Sequence, residues 1–119
     1  MKSILLGLLA IVGVSGCEGK VFAGCGDTVK TEAVSPGGRY VATVFERNCG
    51  ATADYSTNVS LREAKESFDP SSQTPVLTVA GQPTIALEWS TETTLAVAVP
   101  EAETFKKLES WRDVRVDYR

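Results

Sequence analysis

The chain has 119 residues, a formal net charge of -3 and 43% hydrophobic residues. That is the length of one domain, too acidic to hold nucleic acid through bulk charge and too apolar to stay disordered. It contains no histidine, which removes the commonest general base and the commonest metal ligand.

The chain opens with MKSILLGLLAIVGVSGCEGK: a positive start at Lys2, an apolar run from Ile4 to Val14, and small residues leading to Cys17. A run of that length makes about 17 Å of helix against about 30 Å of hydrocarbon, so it does not span a membrane. Its layout is that of a secretory signal peptide. The stretch Val14-Ser15-Gly16-Cys17 resembles the bacterial lipobox. That resemblance implies a diacylglyceryl group on the Cys17 thiol, cleavage before it, and acylation of the new amino terminus. Two or three acyl chains, at about 0.8 kcal/mol per buried methylene, anchor a protein stably. Glu18 follows where aspartate would signal inner-membrane retention, which leaves the outer membrane, facing the periplasm, as the default. The alternative is an ordinary signal peptide cut elsewhere, with Cys17 a structural thiol. On the lipobox reading, residues 1–16 are removed, 17–26 form a lipidated, glycine-rich tether, and 27–119 form one domain. Losing Lys2 with the signal moves the net charge from -3 to -4.

Three cysteines are an odd number for an exported protein. Lipidation of Cys17 leaves Cys25 and Cys49 to pair in an oxidising compartment. Between them, TVKTEAV and RYVATVFER flank a Ser-Pro-Gly-Gly turn and read as a hairpin. Centring the turn on Gly37 sets Cys25 opposite Cys49, within disulfide reach. Closing a loop of about 25 residues stabilises by about 3–4 kcal/mol in the chain-entropy account. A redox-active or nucleophilic Cys49 is the alternative, but the chain has no CxxC and no histidine to activate a thiolate.

Periodicity along the rest of the chain runs at two. In RYVATVFER, Val41, Thr43 and Phe45 share one face and Tyr40, Ala42 and Val44 the other, which predicts a central strand. Further strands are expected at Asn58–Arg62, Val76–Ala80, Thr84–Trp89, Thr94–Val99 and Val114–Tyr118. The last alternates apolar with charged residues and so predicts one wet face. Glu63–Thr74 reads as a long, mobile polar loop broken at Pro70. Glu101–Ser110, with Phe105 and Leu108 three apart after Pro100, is the one helix candidate. The expected fold is all-β and mainly antiparallel: a small sandwich or partly open barrel of about seven short strands, with at most one short C-terminal helix. SPGGRYVATVF and EWSTETTLAVAV share the turn-and-strand pattern of β-propeller blades, but a closed propeller needs at least four blades of about 40 residues.

The most distinctive stretch is FERNCGATADYSTNVSL, residues 45–61. With the flanking strands it resembles a family of short exported bacterial proteins with an F-E-R-x-C-G-A-T-x-x-x-S-T-x-V-S motif. The matching residues are Phe45, Glu46, Arg47, Cys49, Gly50, Ala51, Thr52, Ser56, Thr57, Val59 and Ser60. The resemblance implies kinship and carries no mechanism. Read from its residues, the segment is a loop whose side chains satisfy their own backbone. The sharper reading is a binding surface of Arg47, Asp54, Tyr55, Ser56 and Thr57 for an envelope protein partner. Arginine and tyrosine supply interface hot spots, and a disulfide-pinned loop loses little entropy on binding.

Catalytic patterns are sparse. Without histidine there is no Ser-His-Asp triad, no Cys-His pair and no ordinary zinc site, and no Asp-rich calcium loop occurs. No cofactor and no metal are expected. Glu46, Glu88 and Glu92 are the carboxylates that could converge for hydrolysis, although Glu88 on a wet strand face reads as a solubility residue. Trp89 and Trp111 read as core or cap residues, with a sugar-stacking platform as the alternative. The expected role is a non-enzymatic binding or structural module anchored through Cys17. The alternatives are an inhibitor of a basic cell-wall hydrolase such as lysozyme, towards which an acidic domain would be steered, and a carboxylate-based hydrolase.

Overall fold

The computed structural model describes residues 25–50 and 54–119. The expected signal peptide, Cys17 with its expected lipid, the expected tether up to residue 24, and Ala51, Thr52 and Ala53 lie outside the described residues.

Among the described residues, nine strands form two sheets. They are β1 Gly26–Val34, β2 Tyr40–Asn48, β3 Ser56–Glu63, β4 Leu77–Ala80, β5 Ala86–Thr91, β6 Thr94–Ala98, β7 Thr104–Lys107, β8 Ser110–Trp111 and β9 Val114–Tyr118. One sheet runs β1-β2-β3-β4-β7 and the other β5-β6-β9-β8. All pairings are antiparallel except β6 with β9. The architecture is an all-β sandwich, as its period-two patterning predicts.

The core lies between the sheets. Tyr40, Ala42 and Val44 of β2, Val59 and Leu61 of β3, and Leu77 and Val79 of β4 face Leu95 and Val97 of β6 and Val114 and Val116 of β9. Leu87, Trp89, Val99, Trp111 and Tyr118 close its margins. Both tryptophans therefore cap the core, with the Trp89 indole N–H donating to Ala33 O at 2.9 Å.

β2 is central, and its second face is also buried, at Val41, Thr43 and Phe45. The polar segment after β3 folds back over this face, where Phe68 meets Phe45 edge-on with ring centroids 5.2 Å apart. That segment satisfies itself. The Asp69 carboxylate accepts from Ser71 N–H at 3.0 Å and from the hydroxyls of Ser71 and Ser72 at 2.6 and 2.8 Å. These donors hold the Asp69 carboxyl below its usual pKa. The expected free polar loop is thus a cover built around Phe68.

The expected helix at 101–110 is instead β7 followed by β8. One or two helical turns are marginal alone. β4 carries an unpaired edge that β7 completes, with Leu77 opposite Lys107 and Thr78 opposite Lys106. Phe105 and Leu108 are accordingly exposed, at 62% and 42%, rather than sharing a buried stripe. β7 and β8 bring the strand count among the described residues to nine, against about seven expected.

The disulfide joins Cys25 to Cys49 across the open end of the β1–β2 hairpin, with Cα atoms 3.9 Å apart. The predicted register holds at this end, where Gly26 faces Asn48 and Val29 faces Phe45. It slips by one residue at Lys30, so that Thr31 faces Val44 and Val34 faces Val41. The turn is therefore centred between Gly37 and Gly38, and a β-bulge at Lys30 reconciles it with the cysteines.

Candidate functional site

The expected binding surface divides. Arg47 faces the outer side of β2, where its Nε and Nη2 donate to the Asp27 carboxylate at 2.8 and 3.3 Å. A further contact reaches Pro70 O at 3.4 Å, so this side chain is committed to the fold. Thr57 is 1% exposed and its hydroxyl donates to Gly81 O at 2.8 Å. Ser56 is half-buried and accepts from the Asn58 amide at 3.3 Å. Only Asp54 and Tyr55 of the five are exposed. The correction has a simple cause: on a strand, successive side chains point to opposite faces, and here both faces are covered.

The three candidate carboxylates do not converge. Glu88 is exposed on β5. Glu92 sits in the β5–β6 turn and is clasped by the β1–β2 turn. The Ser35 hydroxyl donates to its Oε2 at 2.7 Å, Arg39 N–H donates at 3.1 Å, and Gly37 N–H donates to Oε1. These donors, Ser35 foremost, hold the Glu92 carboxyl below its usual pKa. Glycine at 37 is what lets the carboxylate approach, because a Cβ there would stand 2.6 Å from Glu92 Oε1.

Beside this clasp, the Tyr40 hydroxyl donates to Asp113 at 2.5 Å. That bond lowers the Asp113 pKa and raises that of Tyr40. Arg39 lies over the Tyr40 ring at 4.7 Å, and Arg112 pairs with Glu63 at 3.0 Å. Three turns are thus tied together at one end of the sandwich.

Glu46 occupies the opposite end. It shares the inner face of β2 with Tyr40, Ala42 and Val44, and lies beside the segment that joins β4 to β5. Its side chain is 12% exposed, and its Oε1 accepts from the Gln82 amide at 3.2 Å. Lys30 Nζ stands 3.9 Å from the same oxygen, too far for a hydrogen bond. The bulge turns the consecutive residues Lys30 and Thr31 both to this inner side. With Gln82, Pro83, Thr84 and Ile85 they line a cavity of about 420 Å³.

The placement of Gln82 depends on the distinctive sequence segment. Gly81, with φ of 80°, takes a left-handed turn that favours glycine. Its N–H donates to Tyr55 O at 2.8 Å and its carbonyl accepts from Thr57. Tyr55 and Thr57 therefore fasten the turn that carries Gln82 to Glu46. Sequence reasoning singled out Glu46 and Thr57 but missed Lys30 and Gln82. No local signal marked Lys30, because the register slip that turns it inward shows only in the strand pairing.

Among the described residues, no three His, Cys, Asp or Glu side chains gather as metal ligands would. No protein-family model, curated protein or solved structure matches the chain.

Proposed function

We propose that the protein is exported, cut before Cys17, acylated there, and displayed at the cell envelope as a non-enzymatic binding module. The observation that carries this reading is the Cys25–Cys49 disulfide. Such bonds form and persist in oxidising compartments, and this one begins eight residues after Cys17. Together with the lipobox-like stretch and the resemblance to short exported proteins with an F-E-R-x-C-G-A-T motif, it supports a setting outside the cytoplasm. The bridge also rigidifies the end of the domain nearest the anchor, where Asp54 and Tyr55 are exposed. A pre-ordered surface spends less of its contact energy on ordering.

Intact-mass and fractionation measurements test the anchor. The mature protein is expected to start at an acylated Cys17 and to partition with membranes, and Cys17→Ser is expected to abolish both. A mature protein that carries residues 1–16, or an unmodified Cys17 in the membrane fraction, overturns the proposal. For the binding role, a photo-crosslinking residue at position 55 is expected to capture an envelope component that the same residue at position 88 does not. Equal capture at both positions overturns that part.

A further inference from the structure

We propose that the cleft at the open end of the sandwich, between Lys30 and Glu46, is a binding site for a small zwitterion of the free α-amino-acid type. This names a ligand for the binding module and rests on that reading for its setting. Three observations carry it.

The cleft has the size of a small-molecule site, at about 420 Å³. Its charges are opposite, adjacent and poorly satisfied by each other. Glu46 is 12% exposed and Lys30 is 49% exposed, yet their closest atoms are 3.9 Å apart. Among the described residues, Glu46 Oε1 accepts only from Gln82, and Oε2 accepts from none. Glu46 Oε2 is open to solvent in the cleft, where a ligand can reach it. A ligand ammonium donates to Glu46 there in place of water, while the adjacent ligand carboxylate takes Lys30. The loose ion pair is thereby replaced by two charge-assisted hydrogen bonds, each stronger than a neutral one.

The third observation is the backbone device that puts Lys30 there. A regular β1 would place Lys30 or Thr31 on the inner face, not both. The bulge between Val29 and Thr31 presents both, and bulges recur where a sheet edge must re-aim a side chain beside a site. The Gln82 amide is held independently, through the Gly81 turn fastened by Tyr55 and Thr57. Ile85, buried at 4% exposure, gives an apolar wall on which a short aliphatic side chain can rest.

The test is amide chemical-shift titration of the isotope-labelled protein as the cell produces it, in detergent, using L-alanine as the probe. Alaninamide, which keeps only the ammonium, and N-acetylalanine, which keeps only the carboxylate, serve as comparisons. Saturable shifts at Lys30, Thr31, Glu46 and Gln82 are expected with alanine at millimolar concentration. Each single-charge analogue is expected to bind at least about tenfold more weakly, as is alanine to Glu46→Gln or Lys30→Met. Thermal melts confirm that both variants fold; either one alone suffices for the comparison. No saturable shift at these residues, shifts centred elsewhere, or equal affinity for an analogue overturns the proposal. The acylation and crosslinking results are read on different residues, so failure here leaves the anchored-module reading standing, and failure there leaves this titration interpretable.

Discussion

The two ends of the sandwich treat their carboxylates in opposite ways. At the turn end, Glu92 accepts three hydrogen bonds from the β1–β2 turn, Asp113 accepts from Tyr40, and Glu63 pairs with Arg112. At the disulfide end, Glu46 has one amide donor and a distant lysine beside a cavity of about 420 Å³. The first arrangement joins turns from both sheets and satisfies their carboxylates with the protein's own donors. The second is held open by a covalent bridge, a bulge and a glycine turn, so its side chains need not close on one another. Backbone devices at the disulfide end free polar groups that the turn end spends on cohesion.

Breaking the disulfide should have the largest effect. Cys25→Ser with Cys49→Ser is expected to lower stability by about 3–4 kcal/mol in urea unfolding. Hydrogen exchange should quicken from Gly26 to Lys30 while amides near Tyr40 stay protected; uniform loss of protection would contradict the separation of the two ends.

Next in size is Ser35→Ala. Ser35 is 3% exposed, and its hydroxyl both donates to Glu92 and accepts from Tyr40 N–H at 2.9 Å. Leaving that buried N–H without a partner is expected to cost about 1–3 kcal/mol in the same assay. Glu92→Gln tests the same clasp by pH. Because the folded-state Glu92 pKa is lowered, its contribution is complete above the ordinary carboxylate pKa and fades as pH falls through the lowered value. Wild type should lead Glu92→Gln at neutral pH, and the gap should close in acid. Asp113, lowered in the same direction by Tyr40, keeps some acid sensitivity in the variant.

A smaller effect is expected from Tyr118→Phe, about 1 kcal/mol. The Tyr118 hydroxyl donates to Leu108 O at 2.6 Å and lies 3.2 Å from Val76 O, linking the β7–β8 connection to the residue that leads into β4. Burial, then the charge of Glu109, pushes its pKa up to about 12. Its stabilisation should be intact below the ordinary tyrosine pKa and disappear as pH rises towards 12. The phenylalanine variant should lack that alkaline loss.

The smallest change is expected at the open end. Lys30→Ala should alter stability by less than about 1 kcal/mol, since the pair it breaks is long and half-exposed. A larger loss would mean that the cleft end is as cohesive as the turn end.

Much of this fold was legible in particular residues. The two apolar faces of RYVATVFER predicted a central strand, and β2 lies between β1 and β3 with both faces covered. The pairing of Cys25 with Cys49 followed from hairpin register, because register is a local count along two joined strands. The helix expected at 101–110 failed because Phe105 and Leu108 carried too short a pattern, and the free edge of β4 decided the outcome. The expected binding surface failed at Arg47 and Thr57 because their partners, Asp27 and Gly81, lie on other strands or turns.

By itself, the sequence determined an all-β domain closed by one disulfide, since period-two alternation and hairpin register depend on neighbours along the chain. A stretch that resembles the lipobox, Val14-Ser15-Gly16-Cys17, precedes that domain. Only the tertiary structure decided that Glu46 would face a cleft while Glu92 would be clasped. Gln82 stands 36 residues from Glu46, and Ser35 stands 57 from Glu92. Contacts at such separations follow from how two sheets stack and where an edge strand bulges, which no local pattern encodes.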